Sequence, residues 1–401
     1  MKKKFKYDIC IVGGLGHVGL PLGVVFASKD QNVCLYDLNK STAKTIFNDK
    51  KMPFVEHGSS PLLKKVLKNN KLHFSDSEKS INESKNIIIA IGTPIDEFMN
   101  PKTEQFLDFI KSIKKHIDNS QSIIIRSSVA PRTCERVAKI LGPKKNKNLS
   151  YCPERIVQGF AVKELENLPQ IVSGYTDSAI KSASKIFKKI TNKVIATSVP
   201  EAEMAKLFSN SWRYVQFALA NQFYMICNDN EINYDNVRFA MVEGYERAAQ
   251  LPGAGFAAGP CLLKDTMQLS SMYNNNFLLG HSAMMINEGL PDYIIKNILK
   301  NNAIKNKKIG ILGMAFKAEV DDIRDSLSFK LRKILSFHGA NVMCSDEYYE
   351  DESFYSTQDI ISECKIIIIG APHKKYKNLK YKKNQLVVDI WKLTEHTNNL
   401  F

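Results

Sequence analysis

The sequence has no long apolar run. In 401 residues the longest uninterrupted aliphatic stretches are residues 87–91 and 366–369, which are only long enough for β-strands. A helix that crosses a bilayer needs about 20 apolar residues, so no membrane insertion is predicted. Hydrophobic residues make up 44% of the chain and charged residues 24%, a balance typical of globular proteins. At this length we expect two or three domains.

Metal-ligand spacing is also lacking. The eight cysteines are scattered without the regular pairs of a zinc site or a disulfide framework, so no metal is predicted and a reducing cytoplasm is favoured. The opening Met-Lys-Lys-Lys resembles a signal peptide, but the apolar stretch after it runs into a glycine fingerprint that a cleaved leader would not carry. The net charge of +15 comes from dispersed lysines, which suits an anionic ligand better than nucleic acid.

A glycine-rich turn follows the first predicted strand, residues 7–13, and opens an apolar helix over residues 20–27. Between a strand and a helix, such glycines permit a tight turn and close approach of the backbone to a pyrophosphate. The helix N-terminus then attracts the phosphates. An ordinary structural turn is the alternative. The sequence predicts a dinucleotide site with contacts at Gly14, Gly16, His17, Val18 and Gly19.

The second predicted strand, residues 32–36, ends in an acid. Asp37 stands about 20 positions after the glycine turn, where a carboxylate binds a ribose 2′-hydroxyl and repels a 2′-phosphate, so NAD is expected over NADP. Polar loops follow the predicted strands 86–91 and 122–126, and ligands bind at such ends of parallel strands. Thr93 and Ser128 are therefore further candidate cofactor contacts, with ordinary turn residues as the alternative.

A glycine-rich segment presents one thiol. We call residues 253–261 the cysteine loop; it reads Gly-Ala-Gly-Phe-Ala-Ala-Gly-Pro-Cys and is followed by Leu-Leu-Lys264-Asp265. Its glycines allow backbone shapes and close ligand approach that side chains would block, which is how a reactive cysteine is presented. A flexible loop around a small structural cysteine is the alternative.

A long helix is predicted from Pro200 to about Cys227, because the residues around Pro200 form a capping-box pattern. At 1.5 Å per residue it would be roughly 40 Å long, enough to span between domains. Lys206, Asn210 and Arg213 share one face by helical spacing, and a solvated polar face is the alternative to a functional one. Its apolar stripe comprises Met204, Leu207, Phe208, Trp212 and Val215.

Strands and helices alternate again from residue 307, which indicates a second open α/β domain. The loop after its first strand lacks the phosphate-binding glycine spacing, so a different nucleotide is expected, with Lys317 and Arg324 as cations for a diphosphate. The sequence thus predicts an α/β fold of two Rossmann-like open-sheet domains joined by a long central helix and a helical middle domain. The predicted domains are residues 1–197, 198–300 and 301–401; further helices are predicted at 234–247, 281–290, 292–299 and 328–337.

With these parts in order, the chain resembles the nucleotide-sugar 6-dehydrogenase family, which includes UDP-glucose and UDP-N-acetylhexosamine dehydrogenases. The likeness covers nearly the whole chain and lies in a set of motifs that occur in one order. They are the glycine fingerprint, Ser127-Ser128-Val129, Pro153-Glu154, Glu203-Met-Ala-Lys206 with Asn210, Gly259-Pro-Cys261-Leu-Leu-Lys264-Asp265, Phe316-Lys317 and Asp322-Ile-Arg324-Asp-Ser326.

The resemblance implies a four-electron oxidation of the C6 alcohol of a UDP-sugar with two NAD+, for surface polysaccharide, by a homodimer built on the central helix. It implies that Cys261 forms a thiohemiacetal and then a thioester. Asp265 is implied as the base or its orienter, Lys206 and Asn210 as holders of the alkoxide, and Glu154 as the activator of the hydrolytic water. The implied substrate contacts are Arg155, Arg247, Gly255, Phe316, Lys317 and Arg324.

Departures from the family pattern leave the sugar open. Gln158 stands where glucose-type enzymes usually carry a glutamate. Pro153-Glu-Arg155 and the short spacing from Arg247 to Cys261 resemble the N-acetylhexosamine branch, whereas Lys264-Asp265 resembles the glucose branch. Asp389-Ile-Trp391 departs from the common acidic-Arg-Asn pattern. Two other functions remain open: a two-electron dehydrogenase of the 3-hydroxyacid or 6-phosphogluconate type, which needs no thiol nucleophile, and an inactive NAD- and nucleotide-sugar-binding sensor.

Overall fold

The computed structural model describes residues 4–97 and 100–395. The chain divides into two compact units, Met1–Phe208 and Ser209–Phe401, and each contains one open, parallel-dominated sheet. The division falls within the longest helix, Val199–Asp229. The predicted α/β fold class with two Rossmann-like sheets is confirmed.

The first unit contains an eight-stranded sheet of spatial order β3-β2-β1-β4-β5-β6-β7-β8. Neighbouring strands run parallel except β6 and β7, which are antiparallel. Short aliphatic runs form the strands because a parallel sheet is covered on both faces. The strands are β1 (Tyr7–Val12), β2 (Val33–Tyr36), β3 (Leu72–Ser75), β4 (Ser84–Ile89), β5 (Ser122–Ile125), β6 (Leu149–Tyr151), β7 (Gln170–Gly174) and β8 (Val194–Thr197).

Helices cover both faces of this sheet, and successive residues of a strand enter different cores. In β1, Ile9 and Ile11 belong to one apolar cluster, whereas Cys10 and Val12 belong to the other. This alternation is the two-residue period of a strand. The helices are α1 (Gly19–Ser28), α2 (Lys40–Phe47), α3 (Ser59–Lys68), α4 (Lys79–Asn82), α5 (Thr103–Ile113), α6 (Thr133–Leu141), α7 (Ala161–Asn167) and α8 (Asp177–Phe187), with short 3-10 turns at Lys114–His116 and Asn146–Asn148.

The long helix α9 (Val199–Asp229) begins with the predicted capping box. The Ser198 amide donates to the Glu201 carboxylate at 2.9 Å, and the Glu201 amide donates to the Ser198 hydroxyl at 3.4 Å. The helices that follow are α10 (Tyr234–Val242), α11 (Leu262–Met272) and α12 (Leu278–Asn301), with a 3-10 turn at Glu246–Ala248. Within the described ranges, no helix is both long and apolar enough to cross a membrane.

The second sheet has four parallel strands in the order β10-β9-β11-β12. Its elements are β9 (Lys308–Leu312), α13 (Leu327–Phe337), β10 (Asn341–Ser345), α14 (Thr357–Glu363), β11 (Ile366–Ile369) and β12 (Leu386–Val388), with a 3-10 turn at Lys374–Asn378. The strand order reverses between β9 and β11, and at such a point the loops after the strands form a ligand crevice.

Two predicted helix boundaries are wrong. The helices predicted at 281–290 and 292–299 form one helix, α12, which continues through Pro291. The proline removes one backbone hydrogen bond, but Leu290 and Ile294 on either side of it are buried in the same core. The helix predicted over 234–247 ends at Val242, because Glu243 is extended and Gly244 has a φ of +65°.

The exposure of the side chains of α9 also differs from the expectation of a solvated polar face and a buried apolar stripe. Lys206 and Asn210 are each only 7% exposed, so a solvated polar face is wrong for both, although Arg213 is exposed. Conversely, Phe208 and Trp212 from the predicted apolar stripe are 51% and 59% exposed. The helix therefore buries polar groups and presents large apolar ones.

Candidate active site

The glycine fingerprint occupies the turn between β1 and α1. A Cβ at Gly14 would lie 2.7 Å from the Leu35 side chain, and one at Gly19 would overlap the Gly13 carbonyl, so internal packing excludes side chains at both positions. At Gly16 an added Cβ would approach only the Gly13 oxygen, at 3.7 Å. Packing does not require a glycine there, so the exposed Gly16 leaves space for a ligand to approach the backbone. This cradle fits the pyrophosphate of a dinucleotide.

Asp37 and the two polar loops lie at the same edge of the sheet, after β2, β4 and β5. The Asp37 carboxylate accepts hydrogen bonds from the Leu15 amide within the fingerprint and from the Asn39 amide, both at 3.1 Å. The Thr93 hydroxyl donates to the Ser128 carbonyl at 2.6 Å, so the structure brings these two predicted residues together. All lie near the reversal of strand order between β1 and β4, where such sheets bind dinucleotides.

Residues 54–57, which the sequence did not single out, pack on the fingerprint and on the segment after Glu154. The His17 ring packs against the Phe54 ring, with centroids 4.1 Å apart and planes tilted by 36°, and His17 Nδ1 lies 3.0 Å from the Gln158 amide nitrogen. The buried Glu56 accepts a hydrogen bond from the Gly159 amide at 3.1 Å, and burial raises the pKa of Glu56. No sequence motif surrounds Glu56, so its role could not be predicted from the sequence.

Glu154 lies inside the first unit and is paired. Its carboxylate forms an ion pair with Arg126, whose side chain is fully buried, and accepts hydrogen bonds from the amides of Arg155 and Ile156 at 2.7 and 2.9 Å. The Arg155 side chain donates to the Pro169 carbonyl. One carboxylate oxygen is engaged by the guanidinium and the other by two backbone amides, so this geometry favours an orienting role for Glu154. Arg126 directly precedes the Ser127-Ser128-Val129 motif, but the sequence analysis assigned it no role.

Another buried acid joins α9 to the loop that carries Ser128. Glu203, only 2% exposed, accepts hydrogen bonds from the Arg132 amide at 2.8 Å and from the Cys134 amide at 3.0 Å. Burial raises the pKa of Glu203. It thereby caps the start of α6 and fixes the first turns of α9, which carry Lys206.

In the second unit, Cys261 stands immediately before α11. All eight cysteines lie within the described residues; seven are buried and Cys261 is the exposed one. The amides and dipole at a helix N-terminus favour a negatively charged group, and a thiolate is such a group. The position therefore suits a nucleophilic thiol.

Asp265 lies one turn further along α11 and is only 1% exposed. The Asn210 amide of α9 donates to its Oδ2 at 2.6 Å, and the Lys264 ammonium lies 2.9 Å from its Oδ1. The structure thus brings the predicted residues Asn210 and Asp265 together, with Lys264 of the same motif beside them. Lys206 lies four residues before Asn210 in α9 and is also buried.

Of the predicted cations for a diphosphate, Lys317 is half-buried and Arg324 is paired. The Arg324 Nε donates to Oδ1 of Asp322 at 2.9 Å and Nη2 donates to Oδ2 at 2.6 Å, and this pairing raises the pKa of Arg324. Arg247 is exposed, with its guanidinium 5.9 Å from the Tyr245 ring. Phe316 packs against Gly259 of the cysteine loop, where an added Cβ would lie 2.5 Å from the ring.

The loop after β9 is organised by an acid that the sequence analysis did not single out. Asp346, after β10, accepts hydrogen bonds from the amides of Met314 and Ala315 at 2.6 and 2.8 Å, and His373 Nε2 lies 3.3 Å from it. It occupies the place in this sheet that Asp37 occupies in the first. Among the described residues, no group of three or more His, Cys, Asp or Glu side chains is arranged to hold a metal ion.

Family models match nearly the whole chain. The NAD binding domain of the UDP-glucose/GDP-mannose dehydrogenase family matches residues 7–191, the central domain of that family matches residues 200–288, and its UDP binding domain matches residues 310–396. The predictions of NAD as cofactor and of dehydrogenase activity are thereby confirmed.

Named relatives are similar over most of their length. The UDP-N-acetyl-D-mannosamine dehydrogenase of Methanocaldococcus jannaschii is 30% identical over 380 residues, which cover 92% of this chain and 86% of that protein. The enzyme of the same name from Pyrococcus horikoshii is 28% identical over 381 residues, which cover 92% and 90%.

Solved structures are similar over equally long stretches. The UDP-D-ManNAc dehydrogenase of Pyrococcus horikoshii superposes with a TM-score of 0.85 at 26% identity, covering 95% of this chain and 94% of that one. The UDP-glucose dehydrogenase of Pyrobaculum islandicum superposes with a TM-score of 0.89 over 100% and 97% of the two chains; at 21% identity it shows the fold alone. The chain belongs to the UDP-glucose/GDP-mannose dehydrogenase family of NAD-binding oxidoreductases.

Proposed function

We propose that the protein oxidises the C6 alcohol of a UDP-sugar to a carboxylate, in two NAD-dependent steps that pass through a covalent thioester. The observation that carries this proposal is the arrangement at the start of α11. An exposed thiol, Cys261, precedes the helix, and one turn later Asp265 is buried and held by Asn210 and Lys264. A simple alcohol dehydrogenase has no use for a thiol at this position.

In the first oxidation the C6 hydroxyl must lose its proton as the hydride leaves. NAD+, held by the glycine fingerprint and Asp37, supplies the hydride acceptor for both oxidations. Oδ2 of Asp265 accepts from Asn210, whereas the buried Oδ1 lies beside the Lys264 ammonium and makes no hydrogen bond to the described residues, so we assign Asp265 to orienting a water that takes the proton. Asn210 gives Asp265 one amide hydrogen and has a second to donate. With the buried ammonium of Lys206, that donor would hold the developing alkoxide.

The thiol carries the second oxidation. The Cys261 thiolate adds to the C6 aldehyde to give a thiohemiacetal, which loses a hydride to become a thioester. Water then attacks the thioester carbonyl, releasing the carboxylate and the free thiol. Glu154 is assigned to this water, and because Arg126 and two backbone amides engage its oxygens, the proposed role is to orient the water.

The nucleotide and sugar are assigned to the second unit. Lys317 and Arg324 are the proposed ligands of the diphosphate, and Phe316 and Gly255 contribute to the same site; Arg155 is the proposed sugar contact from the first unit. Because the two relatives described above are named UDP-N-acetyl-D-mannosamine dehydrogenases, we propose UDP-N-acetyl-D-mannosamine as the substrate, with UDP-glucose second.

We further propose that the protein acts as a homodimer through α9 in the cytoplasm, supplying a uronic acid for surface polysaccharide. The exposed Phe208 and Trp212 support a helix-mediated dimer, and the absence of paired cysteines supports a reducing compartment. Arg247 is exposed, and we propose that each copy donates this side chain to the sugar site of the other copy. The domain assignment, residues 1–197, 198–300 and 301–401, is part of this proposal.

The test is the stoichiometry of oxidation. Purified protein is incubated with NAD+ and one sugar nucleotide at a time: UDP-N-acetyl-D-mannosamine, UDP-N-acetylglucosamine, UDP-glucose or UDP-galactose. Two NADH per sugar consumed, with a uronic acid as product, are expected for one of the four. Cys261→Ser should form no acid, while Cys227→Ser, a buried thiol in α9, should retain the activity.

Other outcomes separate the remaining functions. One NADH per sugar, with Cys261→Ser as active as the wild type, would establish the two-electron dehydrogenase. Binding of NAD+ and UDP without turnover of any of the four sugars would establish the sensor.

A further inference from the structure

Trp391 and Gly255 are packed together in the second unit. A Cβ at Gly255 would overlap the benzene ring of the Trp391 indole, and the backbone φ of Gly255 is +150°, a value that favours glycine. The neighbouring Phe256 ring meets the indole edge to face, with centroids 6.1 Å apart at 86°. The cysteine loop therefore rests on this indole at its second glycine.

The indole is itself held firmly. Its Nε1 donates to the Ile369 carbonyl at the end of β11 at 3.0 Å. The Trp391 amide donates to the Asp389 carboxylate at 3.1 Å, and the same carboxylate accepts from the Thr394 amide at 2.7 Å. Asp389 is 3% exposed. The ring is thus fixed to the sheet, and the loop takes its position from the ring.

A second clamp acts on the same glycine from α9. The buried Asn221 accepts from the Gly255 amide at 2.9 Å and donates to the Gly255 carbonyl at 3.0 Å. Its amide nitrogen also lies 2.9 Å from the Asn287 side-chain oxygen of α12. Gly255 is therefore held between a helix and an aromatic ring, a few residues before Cys261.

We propose that Trp391 is a positioning residue for the Cys261 thiol, holding the cysteine loop so that Cys261 stays at the N-terminus of α11. This inference rests on the proposed function only for the catalytic role of the Cys261 thiol. Asp389-Ile-Trp391 departs from the family pattern, and the proposal explains this departure: in this chain an aromatic ring supports the cysteine loop directly.

The test measures the reactivity of the thiol in the absence of cofactor and sugar. Full-length protein is treated with iodoacetamide at pH 7, and the alkylated peptides are quantified by mass spectrometry. One thiol, Cys261, is expected to react in the native protein, because the other seven are buried. In Trp391→Ala the loop is released from the helix N-terminus, so a smaller fraction of Cys261 is present as thiolate. The rate of Cys261 alkylation should therefore fall at least about threefold, and Cys261 should still be the one thiol modified.

Three further variants separate positioning from general weakening. Trp391→Phe keeps a ring against Gly255 and should recover most of the rate. Asn221→Ala removes the other clamp and should slow alkylation as Trp391→Ala does. Ile360→Ala opens a cavity under β9, where Ile360 packs on Gly310, and should lower stability without changing the Cys261 rate.

The outcomes are decisive in both directions. A wild-type alkylation rate in Trp391→Ala, or an equal slowing in Ile360→Ala, would overturn the proposal. Alkylation does not depend on turnover, so a wild-type protein that oxidises no UDP-sugar would end the proposed function and leave this result standing.

Discussion

At the scale of single residues, the proposed chemistry depends on polar side chains that are buried in the fold. Asn210 and Asp265 are 7% and 1% exposed and are joined by a hydrogen bond of 2.6 Å. A buried carboxylate that loses such a donor is left with an unsatisfied oxygen, which costs free energy and changes the orientation of the acid. Asn210 therefore has a measurable role whether it touches the substrate or acts through Asp265.

Replacing Asn210 with Ala should lower kcat about 100-fold, the usual effect of removing one preorganised donor, with little change in KM for NAD+. Steady-state kinetics of the wild type and the variant measure this effect. Arg213→Ala is the matched control, because Arg213 is exposed three residues further along the same helix. A kcat within twofold of the wild type in Asn210→Ala would contradict the assignment.

The ion pair of Arg126 and Glu154 makes a prediction about stability. Arg126→Met leaves the Glu154 carboxylate buried without its partner, and should lower the free energy of unfolding of the first unit by about 3–5 kcal/mol. Urea unfolding followed by circular dichroism measures the change. The exposed pair of Arg136 and Glu104 is the control, and Arg136→Ala should cost less than about 1 kcal/mol.

The double variant Arg126→Met/Glu154→Gln distinguishes a buried charge from lost packing. It should recover much of the loss, because no unpaired charge remains in the interior. Equal losses in the single and double variants would mean that Arg126 contributes through packing and its hydrogen bonds to Cys152 and Gln170 rather than through the ion pair.

At the scale of elements, local signals predicted the first strand, the glycine turn and the helix after it, because each depends on neighbours in sequence. The capping box at Ser198 was predicted for the same reason. The contacts of the cysteine loop could not be predicted, since Gly255 meets Trp391 and Gly259 meets Phe316 across long stretches of chain. The sequence predicted that these glycines allow close approach of a ligand, with a flexible loop as the alternative, whereas in the structure two aromatic rings pack against them.

The outward face of α9 illustrates a second limit of local patterns. Helical spacing placed Lys206 and Asn210 on one face and the large apolar residues on another, and that geometry is correct. Spacing does not say which face is covered, because burial depends on elements distant in sequence such as α11. The family resemblance supplied that information for Asn210.

The loop after β9 makes a prediction about pH. Burial alone would raise the pKa of Asp346, but hydrogen bonds from His373 and the amides of Tyr348 and Ala315 hold its pKa below the usual value. An unfolded aspartate has a pKa of about 3.9, so Asp346 stabilises the fold above about pH 4, and this contribution is lost as pH falls through the lowered value.

The midpoint of thermal unfolding should therefore fall more steeply in the wild type than in Asp346→Asn between about pH 4.5 and 3. Differential scanning calorimetry across this range measures both slopes. Asp292→Asn, an exposed aspartate in α12, should keep the wild-type slope. Parallel slopes for the wild type and Asp346→Asn would contradict the role of the carboxylate.

At the scale of the whole molecule, α9 exposes a stripe of apolar residues that a single copy leaves open. Phe208, Trp212, Leu219 and Ile226 follow one another at helical spacing and are 46–59% exposed. Exposed apolar area of this kind is typical of protein interfaces. The stripe supports the proposed homodimer.

Trp212→Glu places a charge in that stripe and should convert the dimer into monomers, as measured by sedimentation equilibrium. Phe337→Glu is the control, because Phe337 is 86% exposed at the end of α13 and lies outside the stripe. If Arg247 is donated between copies, the monomeric variant should also lose sugar turnover while still binding NAD+. A wild-type protein that sediments as a monomer would contradict the dimer.

The exposure of Cys261 also makes this thiol accessible to oxidants. Peroxide attacks thiolates that water can reach, forming first a reversible sulfenic acid and then sulfinic and sulfonic acids that ordinary reductants do not repair. The seven buried cysteines are shielded from this damage. If Cys261 is the nucleophile proposed above, oxidation of this one sulfur would abolish activity while leaving the fold intact, and a bound substrate that covers the sulfur would protect it.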